Sequence, residues 1–449
     1  MDRTVWCYCH SDLDGLASGA IVKQTYPNAW INITNYGRSR PLYKVKPGDL
    51  VFVTDFTLTL DEFVRLKQKN AEIVWIDHHK ANYAEISAQG FDCAGIRRDD
   101  YCGAALTWMY LHQNMPPEAM PEAIKLVNDY DLWKFEDPRT KAFSYGSGLW
   151  DIRPGNPAGD AFWAKLLNND DTHLKLVLKY GAHIQEYVEL MQDTYCEDMA
   201  YYTSVPTPEG PKSVLALTIR AGNSSVFDRM DKSKVDAVFT GQYVANIGRY
   251  RCSMYSPDNI KEILPLVQMF GGGGHPKAAG WQADNFPLPP PQLKPPKDLK
   301  HQLEGFDKLT QLKQKSIILK QWVNRASHIT MKAQAFHEDF GDMPALCINH
   351  QYLPDVLDVA TQASDCINPK TSLPAKIYLS WAMTNTGWYR IGVAPTDTST
   401  TLEDIKKQAM KLNPEVERTL VEFAGCLWWY QRDMPVRPPI LPAPSVLTR

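Results

Sequence analysis

Hydrophobic and polar positions along the first 150 residues switch between two periods, and the switching predicts strands and helices in turn. An apolar run over 4–9, carrying Val5, Trp6 and Tyr8, predicts a strand, and small residues over 15–25 follow at helical spacing. Trp30 to Thr34 reads as a short strand, 50–54 as an apolar strand leading into a helix over 60–69, and 72–77 as another strand. Helices are predicted over 103–113 and 119–129. Strand followed by helix, repeated, is the pattern of an α/β unit with a doubly wound parallel sheet. Apolar positions at Phe162, Leu166, Leu174, Val177 and Leu178 then make 157–202 helical, a connector to a second, smaller α/β unit.

That unit begins near Ser213 with a strand over 214–219, a helix over 224–230 and a strand over 236–241. Hairpin strands over 243–255, broken at Gly248, and a helix over 258–269 lead to four consecutive glycines and His275. Such a run suits neither a helix nor a strand interior, and its use is close backbone approach to an anion. A flexible linker is the competing reading, opposed by the helix before the glycines and by His275-Pro276-Lys277 directly after them. Prolines at 287, 289, 290, 291, 295 and 296 predict a semi-rigid spacer. The pattern then repeats: Gly248, Tyr250 and Arg251 recur as Gly387, Tyr389 and Arg390, with the same strand–helix–strand order upstream. The expected division is 1–155, a helical connector 156–210, a second domain 211–284, a linker 285–300, a repeat-like domain 301–434 and a tail 435–449.

The candidate chemistry sits at strand ends. His10, Asp12 and Asp14 follow the first strand, Asp55 follows the third, and Asp77, His78 and His79 follow the fourth. Carboxyl ends of strands in an open parallel sheet share one crevice, so these groups can converge. Clustered carboxylates repel one another unless a cation lies between them. Taken alone, the Asp12-Leu13-Asp14-Gly15 run reads equally well as a turn with a capped helix.

The ordered set of motifs resembles the DHH phosphoesterases, which include RecJ-type exonucleases, nanoRNases, cyclic-dinucleotide phosphodiesterases and type II pyrophosphatases. The matching stretches are His10 to Gly15, Val53-Thr54-Asp55-Phe56, Ile76 to His79, Asn128 to Asp131, and the glycine run with His275, similar to the companion domain called DHHA1. The resemblance implies a DHH domain, a DHHA1-like domain and, from the repeat, a C-terminal degenerate DHHA1-like copy without the glycine loop, serving as scaffold, dimer surface or lid. It implies two Mn²⁺ ions, with Mg²⁺ or Co²⁺ as substitutes: His10 and Asp12 on one, Asp14, His78 and Asp129 on the other, Asp55 bridging. Asp131, two residues beyond Asp129, competes for the last place, since the two would share a face if that stretch is extended. His79 is implied as the group that touches phosphate, Asp77 as the acid that orients an imidazole. Substrate contacts are implied at Gly272, Gly273, Gly274 and His275, with Arg251, Arg220 and Asn223 as further candidates. Tyr255 stands where many relatives carry an Arg, and Arg251 faces the same side of a strand.

Composition narrows the partners. The 449 residues carry a formal net charge of −3, which argues against stable binding of duplex DNA through a basic surface. Nine cysteines without regular spacing read as free thiols, and no run is apolar enough to span a membrane, so a soluble cytoplasmic protein is expected. The function expected is hydrolysis of short single-stranded oligonucleotides to mononucleotides by a hydroxide activated between two metals. Hydrolysis of a cyclic nucleotide or dinucleotide is the alternative, and a catalytically inactive nucleotide-binding regulator is the remaining class. RNA against DNA, polarity of digestion and a possible homodimer are not legible in the sequence.

Overall fold

The computed structural model describes residues 3–217, 224–244, 248–258, 260–288 and 290, and stretches within 309–323, 336–349, 375–396 and 399–431. The chain forms two compact units, 1–186 and 187–449.

The first unit is built on strands β1 (Val5–Cys9), β2 (Trp30–Ile33), β3 (Leu50–Thr54) and β4 (Glu72–Ile76), all parallel, in the order β2-β1-β3-β4. Side chains of successive residues point to opposite faces, and both faces are apolar. Tyr8, Val51, Val53 and Trp75 pack on one side with Phe63 and Leu66 of α2 (Leu60–Gln68) and Ile86 of α3 (Lys80–Ala88). Cys7, Cys9, Phe52, Val74 and Ile76 pack on the other with Val22 of α1 (Leu13–Thr25) and Leu106 of α4 (Gly103–Leu111). Helices on both faces make the sheet doubly wound. The chain leaves β1 toward β2 on one side and reaches β3 on the other, so the switch point, where open sheets bind ligands, lies between β1 and β3.

Helices α5 (Glu122–Asp131), α6 (Thr140–Ser147) and α7 (Pro157–Leu167) complete this unit, and the boundary between units falls within the long helix α8 (Asp171–Met199). α5 starts later than its predicted 119, because Pro117 opens a 3₁₀ turn and Pro121 precedes the first helical residue. α6 and α8 approach so closely that a Cβ on Gly181 would run into the carbonyl of Ala142, and one on Gly146 into that of Val177.

The second unit holds two six-stranded mixed sheets. One runs β5 (Ala200–Val205), β6 (Lys212–Leu217), β7 (Ala237–Val244), β8 (Arg249–Tyr255), β10 (Ala278–Ala283), β9 (Gly273–His275). The other runs β11 (Phe336–Phe340), β12 (Met343–Asn349), β13 (Ile377–Met383), β14 (Tyr389–Pro395), β16 (Cys426–Gln431), β15 (Val421–Phe423). Strand directions agree pair by pair, with one parallel contact in each sheet, β6 with β7 and β12 with β13. The second sheet therefore has the connectivity of the first, with Val421-Glu422-Phe423 standing where the first sheet carries Gly273-Gly274-His275. Helix α9 (Leu264–Gln268) precedes β9, and α10 (Leu402–Leu412) holds the matching place in the second sheet. Tyr243 of β7 packs into the core of the second sheet, and Tyr250 of β8 lies against both cores.

Three expectations change here. Residues 200–205 are a strand, not the end of a helical connector, because their backbone pairs antiparallel with β6. The helix expected over 258–269 shrinks to Leu264–Gln268, since the Asp258 carboxylate accepts the amides of Ile260 and Lys261 and shapes a turn. Part of the glycine run is a strand after all: Gly273–His275 pair with β10 at the sheet edge, where a strand needs hydrogen bonds on one side only. The spacer over 291–296 and the tail lie outside the described residues, and no helix among those described is long and apolar enough to cross a membrane.

Replacing Gly181 by Ala is expected to destabilise the fold by about 1–3 kcal/mol through overpacking, measured by urea denaturation. Lys179→Ala, on the exposed side of α8, is expected to stay within about 0.5 kcal/mol of wild type. Equal losses in the two variants would contradict the close helix approach.

Candidate active site

The carboxyl ends of β1, β3 and β4 bring His10, Asp12, Asp14, Asp55, Asp77, His78 and His79 together. One ligand atom from each member of three groups, His10–Asp12–Asp55, Asp55–His78–His79 and Asp14–His78–Asp131, lies within 4.8 Å of the others in its group. Each residue is positioned by a separate local cause. Asp12 caps α1 with one oxygen, accepting the Gly15 amide at 2.9 Å, and turns the other to His10 Nδ1 at 2.6 Å. The capped-turn and the cluster readings of this run thus describe the same carboxylate. Asp14, in the first turn of α1, accepts the Gly103 and Ala104 amides at 2.6 and 2.7 Å, so it sits on the open amides of the α4 N-terminus. Gly103 is required there, because a Cβ would meet Asp55 and the Asp14 carboxylate.

Asp55 is the centre of the arrangement. It is 1% exposed, and its φ of 52° holds it in the left-handed region, turned out of the end of β3. Neither of its oxygens accepts a hydrogen bond, although His78 Nε2 lies 3.2 Å from one and His10 Nδ1 3.7 Å from the other. Burial first, then the Asp14 and Asp12 charges, drive its carboxyl well above the usual range. Asp131 is raised for the same reasons, burial followed by Asp14 and Asp12. Asp12 goes the other way: burial would raise it, but the hydrogen bond and charge of His10 hold it at about 2. No lysine or arginine among the described residues pairs with Asp12, Asp14, Asp55 or Asp131. Asp55, with two orphaned oxygens, beside imidazole nitrogens that are near yet misaligned and three further acids, forms a donor set that fits divalent cations.

His78 faces Asp14, Asp55 and Asp131, and burial lowers its pKa, which keeps its ring neutral and able to act as a ligand. His79 behaves oppositely. Burial pulls its pKa down, but the buried Asp77 carboxylate, 2.7 Å from Nδ1, outweighs this and lifts it to about 8. Asp77 in turn accepts the Thr57 hydroxyl and the His79 amide, so its orientation is fixed.

Asp129 does not join the cluster. Its two oxygens accept the amides of Glu136 and Asp137 and the Thr140 hydroxyl, and so tie down the segment after α5. Asp131 is the member present, with Oδ2 at 3.3 Å from His78 Nε2. The stretch is helical rather than extended, and residues two apart on a helix diverge by roughly 200°. The two acids therefore face apart, and only one can reach the sheet.

In the second unit, Arg251, Ser253 and Tyr255 of β8 share the open face, while Cys252 and Met254 are buried. Ala278 pairs with both Tyr255 and His275, which puts the Tyr and His in one cross-strand row on that face. Gly272 precedes the row, at a point where a Cβ would meet the Gly280 carbonyl, and Gly274 takes a φ of 144°. Arg220 and Asn223 lie outside the described residues. Sequence reasoning passed over Thr57, the Gly103–Ala104 amides and the loop that carries Tyr36. A glycine opening the apolar run Ala104 to Leu106 was the available signal for the second of these.

No protein-family model matches the chain. It is 22% identical over 301 residues to the oligoribonuclease NrnB of Bacillus subtilis (strain 168), covering 61% of this chain and 71% of the relative. It is 23% identical over 339 residues to a 3′,5′-cyclic-nucleotide phosphodiesterase of Helicobacter pylori (strain ATCC 700392 / 26695), covering 63% and 93%. Among solved structures, the DHH domain of a member of a ribosomal-protein family is similar at 14% identity and a TM-score of 0.45, covering 68% and 86%. The relatives in sequence are named as an oligoribonuclease and a cyclic-nucleotide phosphodiesterase, and the acids and imidazoles gathered from three strand ends agree with the resemblance to the DHH/DHHA1 phosphoesterases.

Proposed function

We propose that this protein is a divalent-metal-dependent phosphodiesterase that hydrolyses short single-stranded oligonucleotides to mononucleotides. The observation that carries the reading is Asp55, a buried carboxylate with two orphaned oxygens between two His/Asp groups. His10, Asp12 and Asp55 would hold one cation, and Asp14, His78, Asp131 and Asp55 a second. Mixed imidazole and carboxylate donors suit Mn²⁺, with Mg²⁺ or Co²⁺ as substitutes. Such a pair, when bound, supplies Lewis acidity at a phosphate and lowers the pKa of water.

The chain's own residues perform the remaining tasks. His79, protonated below about pH 8, donates a proton to a phosphate oxygen or to the leaving oxygen. Asp77 keeps that ring in one orientation and stabilises its charge, and Thr57 holds Asp77. The open face bearing Arg251, Tyr255 and His275, with Gly272, Gly273 and Gly274 beside it, binds the nucleotide end through backbone amides and the guanidinium. The net charge of −3 favours short substrates over long duplexes, and the Bacillus relative is named as an oligoribonuclease.

Two outcomes test this. With Mn²⁺, labelled RNA and DNA chains of two to ten nucleotides are expected to be degraded to mononucleotides, and chelation to abolish turnover. Consumption of cyclic nucleotides alone would move the protein to the activity named for the Helicobacter relative. Asp131→Asn is expected to weaken Mn²⁺ binding in calorimetry roughly 10- to 100-fold while leaving the melting temperature of the metal-free protein near or above wild type. Asp129→Ala is expected to cost stability, about 1–3 kcal/mol for its unsatisfied amide and hydroxyl donors. A larger loss of Mn²⁺ affinity in Asp129→Ala than in Asp131→Asn would reverse the assignment.

A further inference from the structure

Tyr36 is left 46% exposed beside the cluster, its ring centroid 6.0 Å from that of His10. An exposed tyrosine in a loop is ordinarily mobile, yet this one is fastened on several sides. One face leans on the fully buried Phe56 ring at 4.5 Å, directly after Asp55. Its hydroxyl accepts from Asn82 Nδ2 at 2.8 Å. Its amide donates to the Asn35 side chain at 2.7 Å, and Asn35 Nδ2 donates to Ser11 Oγ at 3.1 Å, within the His10–Gly15 run. Arg40 closes the loop from below: its guanidinium lies 4.5 Å over Phe56 and donates to Glu62 at 2.7 Å and to the Asn35 carbonyl at 3.1 Å. Glu62 is itself fixed in the capping box of α2. The loop thus spends a buried arginine, two asparagines and a phenylalanine on presenting one aromatic surface.

None of this framework contributes a metal ligand, and a phosphate needs no aromatic partner. A nucleobase does, and it lies one ribose away from the phosphate it accompanies. We propose that Tyr36 is the stacking platform for the base adjoining the phosphate held at the metal group. It makes the site selective for base-bearing nucleotides over sugar phosphates and simple phosphodiesters. Stacking is tolerant of base identity because every base has a π face, so no sequence preference is expected from it. The proposal deepens the phosphodiesterase reading and rests on it for the identity of the substrate.

The test uses the full chain loaded with Mn²⁺. The ratio of kcat/KM for a diribonucleotide to that for the same molecule with one base removed is measured in wild type, Tyr36→Ala and Tyr36→Trp. Calorimetric binding of AMP and of ribose 5-phosphate is measured in parallel. In Tyr36→Ala the ratio is expected to fall about 5- to 150-fold, through KM, with AMP affinity falling alike and Tyr36→Trp restoring both. A purely structural role would lower turnover of both substrates equally and leave the ratio unchanged, which overturns the proposal. If the wild type cleaves neither substrate, the phosphodiesterase reading fails, and the binding comparison still decides. AMP and ribose 5-phosphate binding equally to wild type overturns the platform in either case.

Discussion

A carboxylate buried without a hydrogen-bond donor is among the most costly groups a fold can contain, and Asp55 is held there by the backbone itself. Removing an ionised group from water costs several kcal/mol even after relaxation, and neighbouring negative charges add to this. Here the neighbours are Asp12, Asp14 and Asp131, and the described cations nearby are imidazoles that titrate. A fold that only needed stability would place an apolar residue at this position. Divalent cations held by the His10–Asp12–Asp55 and Asp14–His78–Asp131 groups would convert the repulsion into binding energy.

The surroundings follow from that constraint. The switch point of the sheet brings the ends of β1 and β3 side by side, which places His10 and Asp55 within reach of one another. The α4 N-terminus holds Asp14 with two amides, and Gly103 is small enough to let helix and carboxylates meet. The two histidines at the end of β4 are then driven apart in chemistry by their partners. Burial keeps His78 neutral, while Asp77 keeps His79 charged. Adjacent residues of one type thereby acquire opposite character, one neutral and one protonated.

Much of this was legible in the chain. The strand-and-helix alternation over 1–150 and the placing of His10, Asp55 and His78 at strand ends follow from hydrophobic period and sheet topology. The duplicated sheet of the second unit was legible in the shared Gly, Tyr and Arg positions. What failed was local geometry that only tertiary context settles. Asp131 rather than Asp129 reaches the cluster because the helix predicted to end at 129 runs on to 131, and its last turn sets the two acids on different faces. Residues 200–205 leave the helical pattern because β6 offers an unpaired edge. The glycine run contains a strand because at a sheet edge one side of the backbone goes unpaired. Tyr36 carried no sequence signal, since its contacts come from Ser11, Phe56 and Asn82, far apart in the chain.

The most direct measurement is thermal melting of the metal-free protein and its Asp55→Asn variant, each with and without Mn²⁺. If Asp55 exists to be bridged by cations, the metal-free variant melts at or above wild type, since a carboxyl whose ionisation burial and the neighbouring acids oppose has been replaced by an uncharged amide. Mn²⁺ then raises the melting temperature of wild type by several degrees, as a ligand at about 100 times its Kd would through roughly 2.7 kcal/mol, and leaves the variant nearly unmoved. A metal-free variant that melts well below wild type, with Mn²⁺ shifting neither protein, would contradict the account.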